Sequence, residues 1–277
     1  MGRGGGEAFA VEKALLAGTH HTRSLQPSLL HFSLNKAATQ YTKNVLRAIA
    51  KQNNLTPVAM NEWAFGSTQP YLDHLTYAEM EQYKQVFKPK GYLFSVFGGM
   101  IENIDHLHDY KILLMVRDPR DILVSSYFST AFSHPLPGEH SNKRDSFEQK
   151  RAWAKSVQID EYVLAEAPRL LNNLQRYNHL LLSRHPHTLL LRYEDMIGDF
   201  EGWLTRLLQY TGCSINASLR QQLLENHKQL RPVTENKDRH VRKGIAGDYK
   251  EKLQPETIAE LEGQFSGMLT VLGYEVG

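Results

Sequence analysis

Regular hydrophobic patterning begins at "SLLHFSL", an apolar run of strand formers at residues 28–34, after which "TKNVLRAIAKQ" repeats apolar positions at helical spacing. This order of strand, turn and helix recurs. "LTPVAMNEWAF" predicts a strand, "YAEMEQYKQVF" a helix, "GYLFSVF" and "KILLMV" two strands, and "PRDILVSSYFSTAF" a helix. Strands alternating with helices imply a parallel sheet covered by helices on both faces, an α/β fold. Residues 133–146, "SHPLPGEHSNKRDS", mix Pro, Gly and charge and predict a mobile loop. A long helical stretch follows as far as "LLLSRHP", with a break expected at Pro168, because proline lacks a backbone donor and clashes inside a helix. "HTLLLRYEDM" then predicts a strand, "DFEGWLTRLLQYTG" and "ASLRQQLLENHKQL" two helices, 231–252 a polar segment and "PETIAELEGQFSGMLTVLG" a closing helix.

Composition sharpens this picture. With 41% hydrophobic and 22% charged residues among 277, the chain is in the globular range, and one domain over 28–277 accounts for its length. Residues 1–27 carry a short apolar patch interrupted by Glu and Lys and no clear cleavage site, so a flexible N-terminal arm is expected rather than a signal peptide. The longest apolar runs, such as "ILLMV", are strand-sized, and no membrane insertion is expected. The 32 Lys and Arg against 30 Asp and Glu leave +2, too small a charge to hold nucleic acid, so any anion site must be local. One cysteine, Cys213, excludes an internal disulfide and a cysteine zinc cluster and suits a reducing, cytoplasmic compartment.

In open parallel sheets the ligand crevice lies beyond the carboxyl ends of the strands, which selects three stretches. "NKAATQYTKN", residues 35–44, follows the first strand: a turn of small residues opening a helix, with Lys36 adding a full charge, has the makings of a phosphate cradle. It contains no glycine and is not the G-x-x-x-x-G-K-[ST] loop, and an ordinary turn with a surface lysine fits it as well. In "VRDPRD", Asp118 before Pro119 reads as a helix cap with proline at the first helical position, leaving Arg117 at a strand's carboxyl end, with Ser125 and Ser126 about two turns along. Arg117 suits bidentate phosphate binding, and a salt-bridged helix start is the competing reading. "RHVRKGIAGDYKEKL" clusters Arg239, Arg242, Lys243, Lys250 and Lys252 around Gly244 and Gly247: either a loop that closes over a polyanion or a solvated charge run.

Taken in order from about Leu29 to Lys252, these segments resemble the sulfotransferase family that uses 3'-phosphoadenosine-5'-phosphosulfate (PAPS). Asn35 to Tyr41 stand where the family has P-K-S-G-T-T-W, Arg117 to Ser125 match R-[DN]-P-[RK]-D-[VI]-x-V-S, Arg242 to Lys250 match R-K-G-x-x-G-D-[WY]-K, and "RYEDM" looks like its Y-E-D strand end. The resemblance implies a P-loop-like parallel sheet in a single domain and in-line transfer of a sulfuryl group from PAPS to a hydroxyl or amine of a small-molecule or carbohydrate acceptor. The desulfated nucleotide (PAP) would be the product, and no metal would be required. It further implies that Lys36 reaches the sulfate-bridging oxygen, that Ala37, Ala38, Thr39 and Gln40 cradle the 5'-phosphate and that Tyr41 lies against adenine. Arg117, Ser125 and Arg242 would hold the 3'-phosphate with backbone help from Lys243 and Gly244, and Tyr193 would lie near the nucleotide.

Two departures bear on mechanism. Alanine replaces the loop's usual glycine, and "GYLFSVF" lacks the K-T-H histidine that serves as base in the family's cytosolic branch. A carbohydrate-modifying branch uses a glutamate in a context like N-E-x-x-F-F, which points to Glu62 of "MNEWAFG", with partial burial expected to tune it; His106 and His108 are the runners-up. A PAPS- or PAP-binding module without turnover and a nucleotide kinase are the competing functions; the kinase lacks its lysine-serine pair.

Overall fold

Strand β1 (Leu29–Ser33) is buried at every position, which a strand achieves only when it is flanked on both edges and covered on both faces. Its neighbours are β3 (Tyr92–Phe97) and β4 (Lys111–Val116), and β2 (Thr56–Val58) and β5 (Leu189–Arg192) form the outer strands. All pairings are parallel, in the order β2-β3-β1-β4-β5. The computed structural model describes residues 8–139, 141–229 and 244–275. Chain order reverses between β1 and β4, since the path from β1 leads towards β2 and the path from β4 leads to β5. That places the switch point, and its crevice, between their carboxyl ends.

Sixteen segments of regular structure carry the argument among the described residues. The helices are α1 (Ala10–Leu16), α2 (Thr39–Gln52), α3 (Met60–Phe65), α4 (Pro119–Phe128), α5 (Arg144–Ser156), α6 (Ile159–Tyr177), α7 (Tyr193–Gly198), α8 (Phe200–Thr211), α9 (Ala217–Lys228), α10 (Tyr249–Lys252) and α11 (Pro255–Leu272). α2 packs on β2 and β3, α8 packs on β5, and α6 lies against α4 and α11. The core joins these layers through fully buried Phe32, Phe94, Leu113, Tyr162, Trp203 and Phe265. This is the single α/β domain expected from the alternating pattern.

Several elements differ from the expected ones for identifiable reasons. "LTPVAMNEWAF" gives only a three-residue strand, because Met60 and Ala64, both buried, repeat at helical spacing and start α3. Residues Glu79–Val86 form a 3₁₀ helix, whose period of three lines up Met80, Tyr83 and Val86 on the core. α6 runs through Pro168 unbroken, its buried Val163, Ala167 and Leu174 held between α4 and α11. "RYEDM" leaves its strand at Arg192, and Glu194 and Asp195 favour the positive end of α7.

The expected flexible arm is only partly describable, since its first seven residues lie outside the described ones. From residue 8 onward it is docked. α1 buries Leu15 completely, and the Glu12 carboxylate accepts the Ala59 backbone N–H at 2.6 Å, just ahead of α3. The isolated apolar patch finds its core in another segment, near the 3₁₀ helix, which no local reading could supply. Leu15→Ala should therefore lower stability by about 2–5 kcal/mol, whereas a free arm would show no change; urea unfolding measures it.

Candidate functional site

The turn after β1 is held by main-chain contacts and by strain. The Leu34 N–H donates to Met115 O at 3.1 Å, so the turn leaves the sheet level with the end of β4. Lys36 and Ala38 take left-handed backbone conformations, with φ of 75° and 57°, at a cost of roughly 1–2 kcal/mol each for residues bearing a Cβ. Ala38 occupies the position of the family glycine, and it is the residue that caps α2. Because no side chain caps α2, its first-turn N–H groups and the positive end of its dipole face outward. The Thr39 hydroxyl donates to Leu34 O at 3.1 Å and pairs with Ser33 at 3.0 Å, closing the turn on itself. Gln40 accepts from Lys43. Tyr41 lies beside Phe200 and His227, its hydroxyl 3.2 Å from His227 Nδ1, and burial raises its pKa.

Arg117 leaves β4 beside this turn. One terminal nitrogen donates to Lys36 O at 3.3 Å, and the other donates to Asp121 at 3.2 Å and to Ile245 O at 3.0 Å. Its guanidinium lies 4.4 Å from the Tyr193 ring centroid, and its Nε is buried with no partner among the described residues. Lys36 has no carboxylate partner among the described residues. Burial first, and then the Arg117 charge, push its ammonium down to about 8. Two close cations, an orphaned donor and an uncapped helix end are what an anionic ligand would satisfy.

The third segment is fastened to the same place. Asp121, fully buried, accepts the Gly247 N–H at 2.8 Å and the Tyr249 N–H at 3.0 Å as well as the Arg117 bond. Gly244 and Gly247 adopt φ of 67° and 78°, left-handed values that suit glycine and let the chain fold back over α4. Arg242 and Lys243 lie outside the described residues, as does Arg239. The other half of "RDPRD" is structural: Asp118 caps α4 and pairs with Arg120 at 2.7 Å, and Arg120 reaches Glu262 at 2.5 Å beneath the Tyr249 ring.

Of the remaining sequence candidates, Ser125 is half-buried and its hydroxyl makes no hydrogen bond among the described residues, while Ser126 is bonded to Tyr162 at 3.1 Å. Tyr193 is buried at the start of α7. Glu194 accepts the Asp118 N–H and, at 2.7 Å, the Tyr274 hydroxyl; burial raises its pKa. Asp195 pairs with Arg192. Glu62 sits on α3 and is half-buried, as expected. It is 38% exposed and bridges Lys43 at 2.7 Å and Arg47 at 2.9 Å, both on α2. His106 and His108 precede the amino end of β4, the opposite edge of the sheet from Arg117. Six residues of strand, about 20 Å, separate the two edges, which removes both histidines from the crevice. The sequence showed no metal-ligand spacing, yet ligand atoms of His106, His108 and Asp109, all exposed, come within 4.8 Å of one another.

Sequence reasoning missed four residues here. Asp121 was read only as part of a motif, although an aspartate on the inner face of an apolar helix start is a signal of a buried acceptor. Asp73, also buried, accepts the Gly98 and Gly99 N–H groups at 2.7 and 2.8 Å and the Asn61 amide, tying the end of β3 to α3. Lys143 donates to three carbonyls, of Ala64, Ser67 and Gln69, pinning one end of the loop expected to be mobile. His134, on that loop, packs against Phe65 of α3. No local pattern marks these last three, because their partners are distant in sequence. Asp121→Ala should cost about 3–5 kcal/mol by leaving Arg117 and two N–H groups unpaired. Chemical denaturation gives the loss, and faster tryptic cleavage at Lys250 and Lys252 should accompany it.

Comparison with curated protein sequences finds no match. Among solved structures, mouse sulfotransferase SULT7A1 complexed with PAP is similar at 14% identity and a TM-score of 0.61, over 95% of this chain and 90% of that one. Retinol dehydratase in complex with androsterone and the inactive cofactor PAP is similar at 18% identity and a TM-score of 0.50, over 88% and 81%. At such identities these likenesses speak for the fold. The family model described as sulfotransferase domain matches residues 26–268, nearly the whole chain. The chain belongs to the sulfotransferase domain family.

Proposed function

We propose that this protein transfers a sulfuryl group from PAPS to a hydroxyl or amine of a small-molecule or carbohydrate acceptor. One observation carries the reading: Arg117 touches Lys36 on one side and Ile245 on the other, so three cationic segments far apart in sequence meet at one crevice. Lys36 and the first turn of α2, Ala37 to Tyr41, would hold the 5' end of the nucleotide. Arg117 and Ser125, with Arg242, Lys243 and Gly244, would hold its 3'-phosphate, and Tyr193 would lie beside it. PAPS, when bound, supplies the activated sulfuryl group. Lys36 stabilises charge on the departing phosphate oxygen, the task a divalent cation performs in kinases, and PAP leaves as product. A small acceptor agrees with retinol dehydratase, which binds androsterone. The single cysteine supports a cytoplasmic setting, and no described helix is long and apolar enough to cross a membrane. A module that binds PAP without turnover is the second reading, favoured by the missing strand histidine.

PAP should raise the melting temperature without magnesium, and an absent shift at millimolar PAP would defeat both readings. The Lys36 ammonium, at about 8 when free, should move back towards the usual lysine range once a nucleotide phosphate neighbours it. Binding above pH 8 then takes up a proton, and PAP affinity falls as pH rises through that region. Calorimetry at pH 9 in buffers of different ionisation enthalpy reads the uptake, which Lys36→Met abolishes.

Glu62 is the resemblance's choice for the proton acceptor, and its two ion pairs also give it the task of joining α3 to α2. Glu62→Gln separates these roles. Lost transfer with unchanged melting temperature and PAP affinity would make it the base, and a fall in melting temperature with residual transfer would make it the joint.

A further inference from the structure

Resting on that reading of the reaction, we infer that His134 is the group that takes the acceptor's proton. Glu62 is tied through Oε1 to two cations on α2, and His106 and His108 are on the wrong edge of the sheet. His134 is built differently. It follows the turn Ser129–Ser133 that ends α4, and its backbone is fixed at both ends: its N–H donates to Ser129 O at 2.7 Å, and its carbonyl accepts from Arg151.

Its ring is placed as firmly as its backbone. It packs against Phe65 at 6.2 Å and Phe147 at 5.5 Å, between α3 and α5. Because α3 starts two residues after the carboxyl end of β2, this sets the imidazole on the edge of the sheet that carries Lys36 and Arg117. Nδ1 lies 2.7 Å from Pro135 O. A carbonyl only accepts, so Nδ1 bears the hydrogen and Nε2 presents its lone pair. A histidine oriented through one nitrogen by an acceptor, with the other free, is the arrangement a general base requires.

The ring's surroundings lower its pKa. Burial is the main cause, and Lys36 from the turn after β1 and Arg151 from α5 lower its pKa further, outweighing the Pro135 bond. In the step, Nε2 removes the acceptor's proton as the acceptor oxygen bonds to sulfur. The sulfur–oxygen bond to the phosphate breaks, and its electron pair remains on the phosphate oxygen beside Lys36. The imidazolium then returns its proton to water.

The first test needs no acceptor. In ¹⁵N-histidine-labelled protein, with the His134 signals assigned by their loss in His134→Gln, the ring should show the Nδ1–H tautomer and a titration midpoint below that of free histidine. Adding PAP should raise the midpoint, since its phosphate offsets the Lys36 charge. A midpoint indifferent to bound PAP, with binding verified by calorimetry, overturns the inference and leaves the nucleotide reading standing; failure of PAP to bind brings down both. The second test follows transfer from radiolabelled PAPS to a panel of phenols, alcohols and amines. His134→Ala should reduce transfer about 10²–10⁴-fold at unchanged PAP affinity, and added imidazole should restore part of it. Undiminished transfer in His134→Ala would refute the assignment.

Discussion

A buried carboxylate governs the crevice. Asp121 is fully enclosed, and a charge taken out of water survives there only because the Arg117 guanidinium and two backbone N–H groups surround it. Each of these donors belongs to a different requirement of the site. Arg117 must point at the crevice, and the Gly247–Tyr249 turn must be held against α4. One side chain on the first turn of α4 meets both requirements. The same helix start is fixed independently by Asp118, Pro119 and Arg120, so the carboxylate is presented from a rigid platform.

Around that anchor Arg117 shares the Asp121 carboxylate, while the Lys36 ammonium has no carboxylate partner among the described residues. Burial, and then the nearby Arg117 charge, set a cost on the Lys36 ammonium, as its lowered pKa shows. Backbone strain at Lys36 and Ala38 adds to it. Both costs are carried by the packed sheet, whose central strands have no exposed face to yield. Preorganised cations that await an anion reorganise little when charge develops during reaction, which is why such strain recurs at sites of group transfer.

The wall proposed for the acceptor is assembled by a different device, main-chain groups captured by single side chains, Asp73 buried and Lys143 half-buried. Asp73 collects the N–H groups at the end of β3, and Lys143 collects three carbonyls after α3. Between them they hold α3 and bring the loop bearing His134 against Phe65. Short helices and loops, stabilised at a few points, are the parts of a fold most free to vary in shape.

What could be read from the sequence was whatever depends on neighbours in the chain. The runs around Leu30, Phe94 and Leu113 specify strands by apolar continuity, Asp118-Pro119 specifies a helix start, and the motifs around Lys36, Arg117 and Gly244 in that order carry the resemblance to the family. What only the tertiary structure decided was which distant groups meet. The docking of α1 through Leu15, the two cations on Glu62, the edge on which His106 and His108 fall and the packing of His134 all depend on partners tens of residues away. Local periodicity encodes burial, because burial follows the pitch of a helix or strand. Pairing between segments follows from topology and packing, which no single stretch of chain contains.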